Sequence, residues 1–139
     1  MSIQVLCIGD VMLDVIVRID VAPEKINYGS DTASRISTGS GGAAGNVAAW
    51  LTCTDARSTI VCHVGDDPAG AAIVADFGAL GVEHGELVVP GQASGVVIIL
   101  VDSSGERTMF PEKGANSSLS IMLFFYLILI IKLRLVMNF

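Results

Sequence analysis

The chain has 139 residues, enough for one domain with a real core, and 52% of them are hydrophobic against 16% charged. The formal net charge of −6 argues against nucleic acid as a main partner. Three cysteines, Cys7, Cys53 and Cys62, lack metal-ligand spacing and read as reduced, mostly buried thiols, which favours a reducing, cytoplasmic setting. No basic region precedes an apolar one at Met1–Gln4, so no secretory signal is expected.

Ile3 to Ile8 is a short apolar run ended by Gly9, which predicts a buried, parallel strand. Asp10 and Asp14 follow at its carboxyl end, the edge where open α/β sheets bind ligands. An ionised carboxylate only accepts hydrogen bonds, so both suit a hydroxyl-rich ligand, or else both satisfy turn N–H groups. Val15 to Ile19 predicts a less buried strand, 22–28 a polar loop, and Asp31 to Ser37 a polar strand exposed on one face.

The stretch Gly39-Ser40-Gly41-Gly42-Ala43-Ala44-Gly45-Asn46 holds four glycines in seven positions. It reads as a tight turn opening a helix from about Gly45 to Thr52 or Cys53. Glycine there permits close backbone approach, and the helix start offers unpaired N–H groups and a positive dipole end. Asn46 adds an amide that donates and accepts.

Ser58 to Val64 predicts a second buried strand. Asp67 then caps a helix that has Pro68 at its first position, spans Ala69 to Leu80 and stops at Gly81. Glu86 to Val89 is a short strand, Ser94 to Asp102 a strong one, and Ser103 to Glu106 a hairpin turn returning through Arg107 to Phe110. Residues 111–120 read as a loop. His63 and His84 lack companions at ligand spacing, so no metal is expected. Helices between buried strands imply an α/β parallel sheet, and the polar strands a small second sheet over one edge.

Four motifs together resemble the N-terminal part of the PfkB-type, ribokinase-like carbohydrate kinases. They are Gly9-Asp10-Val11-Met12-Leu13-Asp14 after the first strand, Gly41-Gly42-Ala43-Ala44-Gly45-Asn46 before a helix, Val64-Gly65-Asp66-Asp67-Pro68-Ala69-Gly70 before a helix, and Gly114-Ala115-Asn116 before Leu119. The resemblance covers residues 3 to about 120. It implies a partial ribokinase-like fold, with residues 1–120 as the sugar-binding half and lid. It further implies that Asp14, Gly41, Gly42 and Asn46 hold hydroxyls of a sugar or related polyol, and that the polar strands and hairpin form a β-sheet lid able to support a homodimer. A complete family member is expected to use ATP and Mg, neither bound by this chain. Ala43 stands where some relatives carry a polar residue, and Asp55 where the family usually has glycine. The family's catalytic base ends a D-T-x-G-A-G-D motif far downstream, and no such motif occurs in these 139 residues. The expectation is therefore a sugar kinase truncated before its ATP site and base, with no catalytic residue of its own and inactive alone. The alternatives are a non-catalytic sugar-binding or dimerising fragment, and a dinucleotide-binding domain in which Gly39-x-Gly41-x-x-Ala44 is the fingerprint and Asp66 the acidic residue.

Residues 121–139 change character to Leu, Ile, Phe, Met, Lys and Asn, and read as an atypical hydrophobic tail of an origin foreign to the family, through intron read-through, a frameshift or a truncated gene. The uninterrupted apolar run, Ile121 to Ile131, is 11 residues, short of a bilayer span; a membrane contact through the tail is the lesser reading.

Overall fold

The computed structural model describes residues 3–120; the expectations for 121–139 lie outside them. Two sheets divide the chain. The first has parallel strands in the order β1 (Gln4–Ile8), β4 (Arg57–Gly65), β5 (Glu83–Val89). The second has the order β3 (Ser34–Gly41), β2 (Met12–Ile19), β6 (Val96–Val101), β7 (Arg107–Glu112). Its outer pairs are antiparallel and its central pair, β2 with β6, is parallel. Helix α1 (Ala43–Leu51) connects β3 to β4, and α2 (Pro68–Leu80) connects β4 to β5.

The main core lies between the parallel sheet and the two helices. Ser58, Ile60, Cys62 and Val64 alternate along β4 toward the helices, as period-two geometry requires. Ile60, Cys62 and Val64 pack with Val11, Ile73 and Phe77. Ser58 is buried among them because its hydroxyl donates to the Ala48 carbonyl at 2.9 Å. Gly45 lets α1 approach the Phe77 ring, which a Cβ would meet at 3.3 Å. A smaller cluster, Met12, Val97 and Ile99 with Ile16 and Val101, lines one face of the second sheet. Cys7, Cys53 and Cys62 are all free thiols; Cys53 is exposed, and burial with the nearby Glu86 charge pushes the Cys62 thiol up to about 12.

Helix α2 starts and stops as its sequence dictates. The Asp67 carboxylate accepts the Gly70 N–H at 2.8 Å, and Gly81 takes the left-handed conformation at φ 75°. Asp67 does more than cap. It also accepts the Ser94 N–H (2.8 Å) and hydroxyl (2.6 Å), while the Ser94 oxygen accepts the Gly65 N–H (2.9 Å). The Ser94 hydroxyl, aided by the N–H groups of Ser94, Gly70 and Ala69 against partial burial, holds the Asp67 carboxyl below its usual range.

Several boundaries differ from the sequence expectation. β2 begins at Met12, not Val15, so Asp14 sits within a strand. β3 continues through Gly39–Gly41, so half of the glycine stretch is strand, and α1 starts at Ala43 rather than Gly45. Pairing with β2 from Met12↔Gly41 to Ile19↔Ser34 overrides the low strand propensity of these glycines. β5 starts three residues earlier than Glu86, β6 begins at Val96 rather than Ser94, and Gly114–Ser118 forms a 3-10 turn rather than loop.

The two sheets join at Asp10–Val11, where the chain passes from β1 into β2. Asn116, 4% exposed, clamps this crossing. Its Oδ1 accepts the Val11 N–H (3.0 Å), and its Nδ2 donates to the Val11 carbonyl (2.8 Å) and the Lys113 carbonyl (3.0 Å). Asn116→Ala orphans both buried polar groups of Val11, so it is expected to destabilise the protein by about 3 kcal/mol. Urea unfolding monitored by circular dichroism checks this; a midpoint equal to that of the parent protein would refute the clamp.

Candidate functional site

A cleft of about 340 Å³ opens between the start of α1 and one face of the second sheet. Asp10, Gly42, Ala43 and Asn46 form its α1 side. Met12 and Asp14 of β2 and Val97 and Ile99 of β6 form its sheet wall, and Arg107, Met109 and Pro111 of β7 continue that wall to Lys113. The register explains this alignment. Asp14 lies beside Val97, which lies beside Pro111, and the next row of the same face is Ile16, Ile99 and Met109.

Asp14 is the polar centre. Its Oδ1 is buried and has no hydrogen-bond partner among the described residues. Burial pushes the Asp14 carboxyl above its ordinary value. Because Asp14 sits within β2 with no turn beside it, the turn-capping alternative does not hold. Gly41 is buried directly behind the carboxylate, and a Cβ there would overlap all three carboxyl atoms. Asp10, likewise, caps no turn with its side chain: its carboxylate faces Lys113 at 3.9 Å, and its carbonyl accepts the Gly45 N–H at 3.4 Å.

Gly42 positions the helix. Its φ is 87°, and a Cβ would meet the Asp10 carbonyl oxygen at 2.5 Å and Val11 Cα at 2.7 Å. No hydrogen bond engages the N–H groups of Ala43 and Ala44 within the described residues, and Asn46 is exposed with its amide free there. The cleft thus sets an unpartnered carboxylate, an amide and helix-start N–H groups opposite an apolar wall. That arrangement suits a small molecule with hydroxyls on one side and C–H groups on the other.

The four sequence candidates are brought together, with one difference in placement. Asp14, Gly42 and Asn46 line the cleft, whereas Gly41 lies behind Asp14 and shapes its position. Sequence reasoning passed over the wall residues and the cations Arg107 and Lys113. Their signal was the alternation 107, 109, 111, 113, hidden by ending the strand at Phe110. The glycine stretch does not fit a dinucleotide fingerprint: β3, which precedes it, is an exposed antiparallel edge strand rather than a buried parallel one. Nor does this helix start fit ATP phosphates, since Gly42 is packed on the Asp10 carbonyl and two carboxylates, Asp10 and Asp14, flank it. Among the described residues no His, Cys, Asp and Glu group is arranged to hold a metal. His63 is buried; its Nδ1 lies 2.7 Å from Ser118 Oγ, which itself donates to the Ala115 carbonyl, and burial pulls its pKa down. His84 pairs with Glu86 at 2.6 Å.

A parallel α/β layer joined to a separate four-stranded mixed sheet, with a cleft between them, is the ribokinase-like architecture. The sequence pattern of the pfkB family of carbohydrate kinases matches residues 2–131, and the chain belongs to that family. The match reaches past residue 120, where the resemblance was taken to end. The chain is 33% identical over 117 residues to an ATP-dependent ribose-1-phosphate kinase of Halopiger xanaduensis, covering 84% of this chain and 39% of that protein. It superposes on ribokinase from Giardia lamblia with a TM-score of 0.71 at 24% identity, covering 89% and 40% of the two chains. With Arabidopsis thaliana ribokinase, solved with ribose and ATP, the TM-score is 0.70 at 23% identity, covering 84% and 38%. The last two likenesses establish the fold. The chain spans about 40% of the length of each of these proteins. Among the described residues no helix is long and apolar enough to cross a membrane.

The two glycines separate stability from binding. Gly42→Ala meets backbone at a left-handed φ and is expected to cost about 2 kcal/mol in urea unfolding. For Gly41→Ala the three nearest atoms are the Asp14 carboxyl group, a side chain rather than backbone, so this variant is expected to retain more stability than Gly42→Ala while weakening ligand binding in calorimetry. Equal unfolding midpoints for the two variants would contradict this assignment.

Proposed function

We propose that residues 3–120 are the acceptor-binding half and lid of an ATP-dependent carbohydrate kinase, and that the acceptor is a sugar or related polyol. Asp14 accepts hydrogen bonds from two acceptor hydroxyls, Asn46 donates and accepts at a third, and Val97, Ile99 and Met109 pack against the C–H face. The second sheet closes over the acceptor and excludes water, which would otherwise compete for the phosphoryl group. The observation that carries this reading is the buried, unpartnered Asp14 Oδ1 in the cleft. Such a group is stabilised when a ligand hydroxyl donates to it. The D-T-x-G-A-G-D motif is absent from the 139 residues, so this chain is assigned acceptor binding and not phosphoryl transfer on its own. In the whole enzyme ATP, with Mg, would act at residues other than those described.

Calorimetry with ribose and fructose, beside an ATP-turnover assay, tests the assignment. The expected outcome is sugar binding without turnover, weakened at least about tenfold by Asp14→Ala. The bond requires the carboxylate form. Affinity should therefore be full at neutral pH and fall on acidification through the raised Asp14 pKa, above the ordinary aspartate value of about 3.9. Binding that is insensitive to pH and to Asp14→Ala would overturn the reading.

A second role for the lid, homodimer formation, is supported by its outer face. There Ile36, Ile98 and Phe110 are 65%, 47% and 57% exposed, with Val15, Val17 and Leu100 between them by register. Sedimentation should give a dimer that Ile98→Glu converts to monomer; a monomeric parent chain would remove this role.

A further inference from the structure

We propose that the segment Ile121–Ile131 seats on the uncovered face of the parallel sheet, opposite α1 and α2, and closes the fold on that side. This is independent of the acceptor-binding reading.

The two faces of this sheet differ. Register places Cys7 of β1 beside Ile60 of β4, and Cys62 and Val64 continue the same face. That face meets Ala48 of α1 and Phe77 of α2, so both helices lie on one side. The opposite face carries Leu6 and Ile8 of β1, Thr59, Val61 and His63 of β4, and Gly85 of β5. Leu6 is 39% exposed, and Ile8 and Val61 are half-buried. A Cβ added at Gly85 would touch only the Ile60 carbonyl of the neighbouring strand, at 4.0 Å. Parallel sheets occur almost only with both faces covered.

The turn Gly114–Ser118 reaches the margin of this face, where Ser118 Oγ lies 2.7 Å from His63 Nδ1. Ser118 Oγ donates to the Ala115 carbonyl at 2.7 Å, so it accepts from His63, and the imidazole proton sits on Nδ1. His63 Nε2 is then a bare acceptor. It is buried and has no partner among the described residues. A buried acceptor of this kind calls for a donor laid over it.

Three features of the chain select the occupant. Ser118 is held at the face, and Leu119 and Ser120 alone separate it from Ile121, so Ile121 starts within about 10 Å of Ser118. The 11 residues Ile121–Ile131 carry no charge, which matches the apolar centre of Leu6, Ile8 and Val61. Tyr126 has the one side-chain donor in that run, a hydroxyl able to serve His63 Nε2.

The test is photo-crosslinking of the whole 139-residue chain, with p-benzoylphenylalanine placed at Phe124 and, in a second variant, at Phe125. Each is irradiated in buffer and with phosphatidylcholine vesicles, and linked peptides are mapped by mass spectrometry. The expected result is a link within one chain to Gln4–Ile8 or Arg57–Gly65, with and without vesicles. Leu6→Asp sets a carboxylate on the face and should lower the yield of that link at least about fivefold. Ile36→Asp, on the second sheet, should leave the yield within about twofold. Links only between copies would assign the segment to self-association, and links only to lipid would assign it to a membrane surface; either overturns the proposal. Links confined to other parts of the chain, the absence of any link, or a yield unmoved by Leu6→Asp overturn it equally.

Discussion

The clamp of Asn116 on the Val11 peptide is the constraint on which the site depends. Val11 lies in the first crossing between the two sheets, and its backbone groups are buried where neither sheet ladder serves them. A side-chain amide is suited to this position because it offers an acceptor and a donor on one rigid plane. With Val11 fixed, Asp10 and Asp14 fall on either side of it, one at the helix start and one on the lid. The Asp10 carbonyl in turn sets where Gly42 turns and α1 begins. Asp67 and Ser94 provide a second tie of the same kind, linking the α2 start to the approach of β6. Both ties join segments distant in sequence, and neither engages the side chain of Asp14 or of Asn46.

Electrostatics divide the labour within this small volume. Asp67 is surrounded by donors and is held ionised; Asp14 is surrounded by little and has its charge penalised. Two aspartates of the same chain are thus driven in opposite directions by their neighbours alone. The first is structural because all its needs are met within the fold. The second is a candidate for binding because they are not.

Much of this architecture was legible in the residues. The apolar runs at 3–8 and 58–64, the Asp67-Pro68 start and the Gly81 stop are local signals, and local physics decides them. The lid was legible as polar strands, but its order was not, because β2 pairs with β6 across a long stretch of chain and no local pattern records that partner. The glycine stretch was misread at its first half for the same reason: Gly39–Gly41 are strand only because β2 lies beside them. Asp14, Gly42 and Asn46 were found from motif chemistry. The apolar wall and Arg107 were not, since their meaning depends on which strands are neighbours. Asn116 was visible within a motif, but its double bond to Val11 is a tertiary fact.

The parallel β2–β6 pair has a consequence for how the protein is made. Leu13 pairs with Val96, a separation of 96 − 13 = 83 residues. A ribosome adding about 5–20 residues per second leaves β2 without that partner for several seconds after it emerges. β3 arrives early and closes one side of β2, but the other edge stays open until β6 is synthesised, and the Val11 peptide waits longer still for Asn116. Throughout that interval the nascent chain displays an apolar strand edge. The lid is therefore the last part of the described fold to be secured, and the most exposed to chaperones and to mispairing with other chains while synthesis continues.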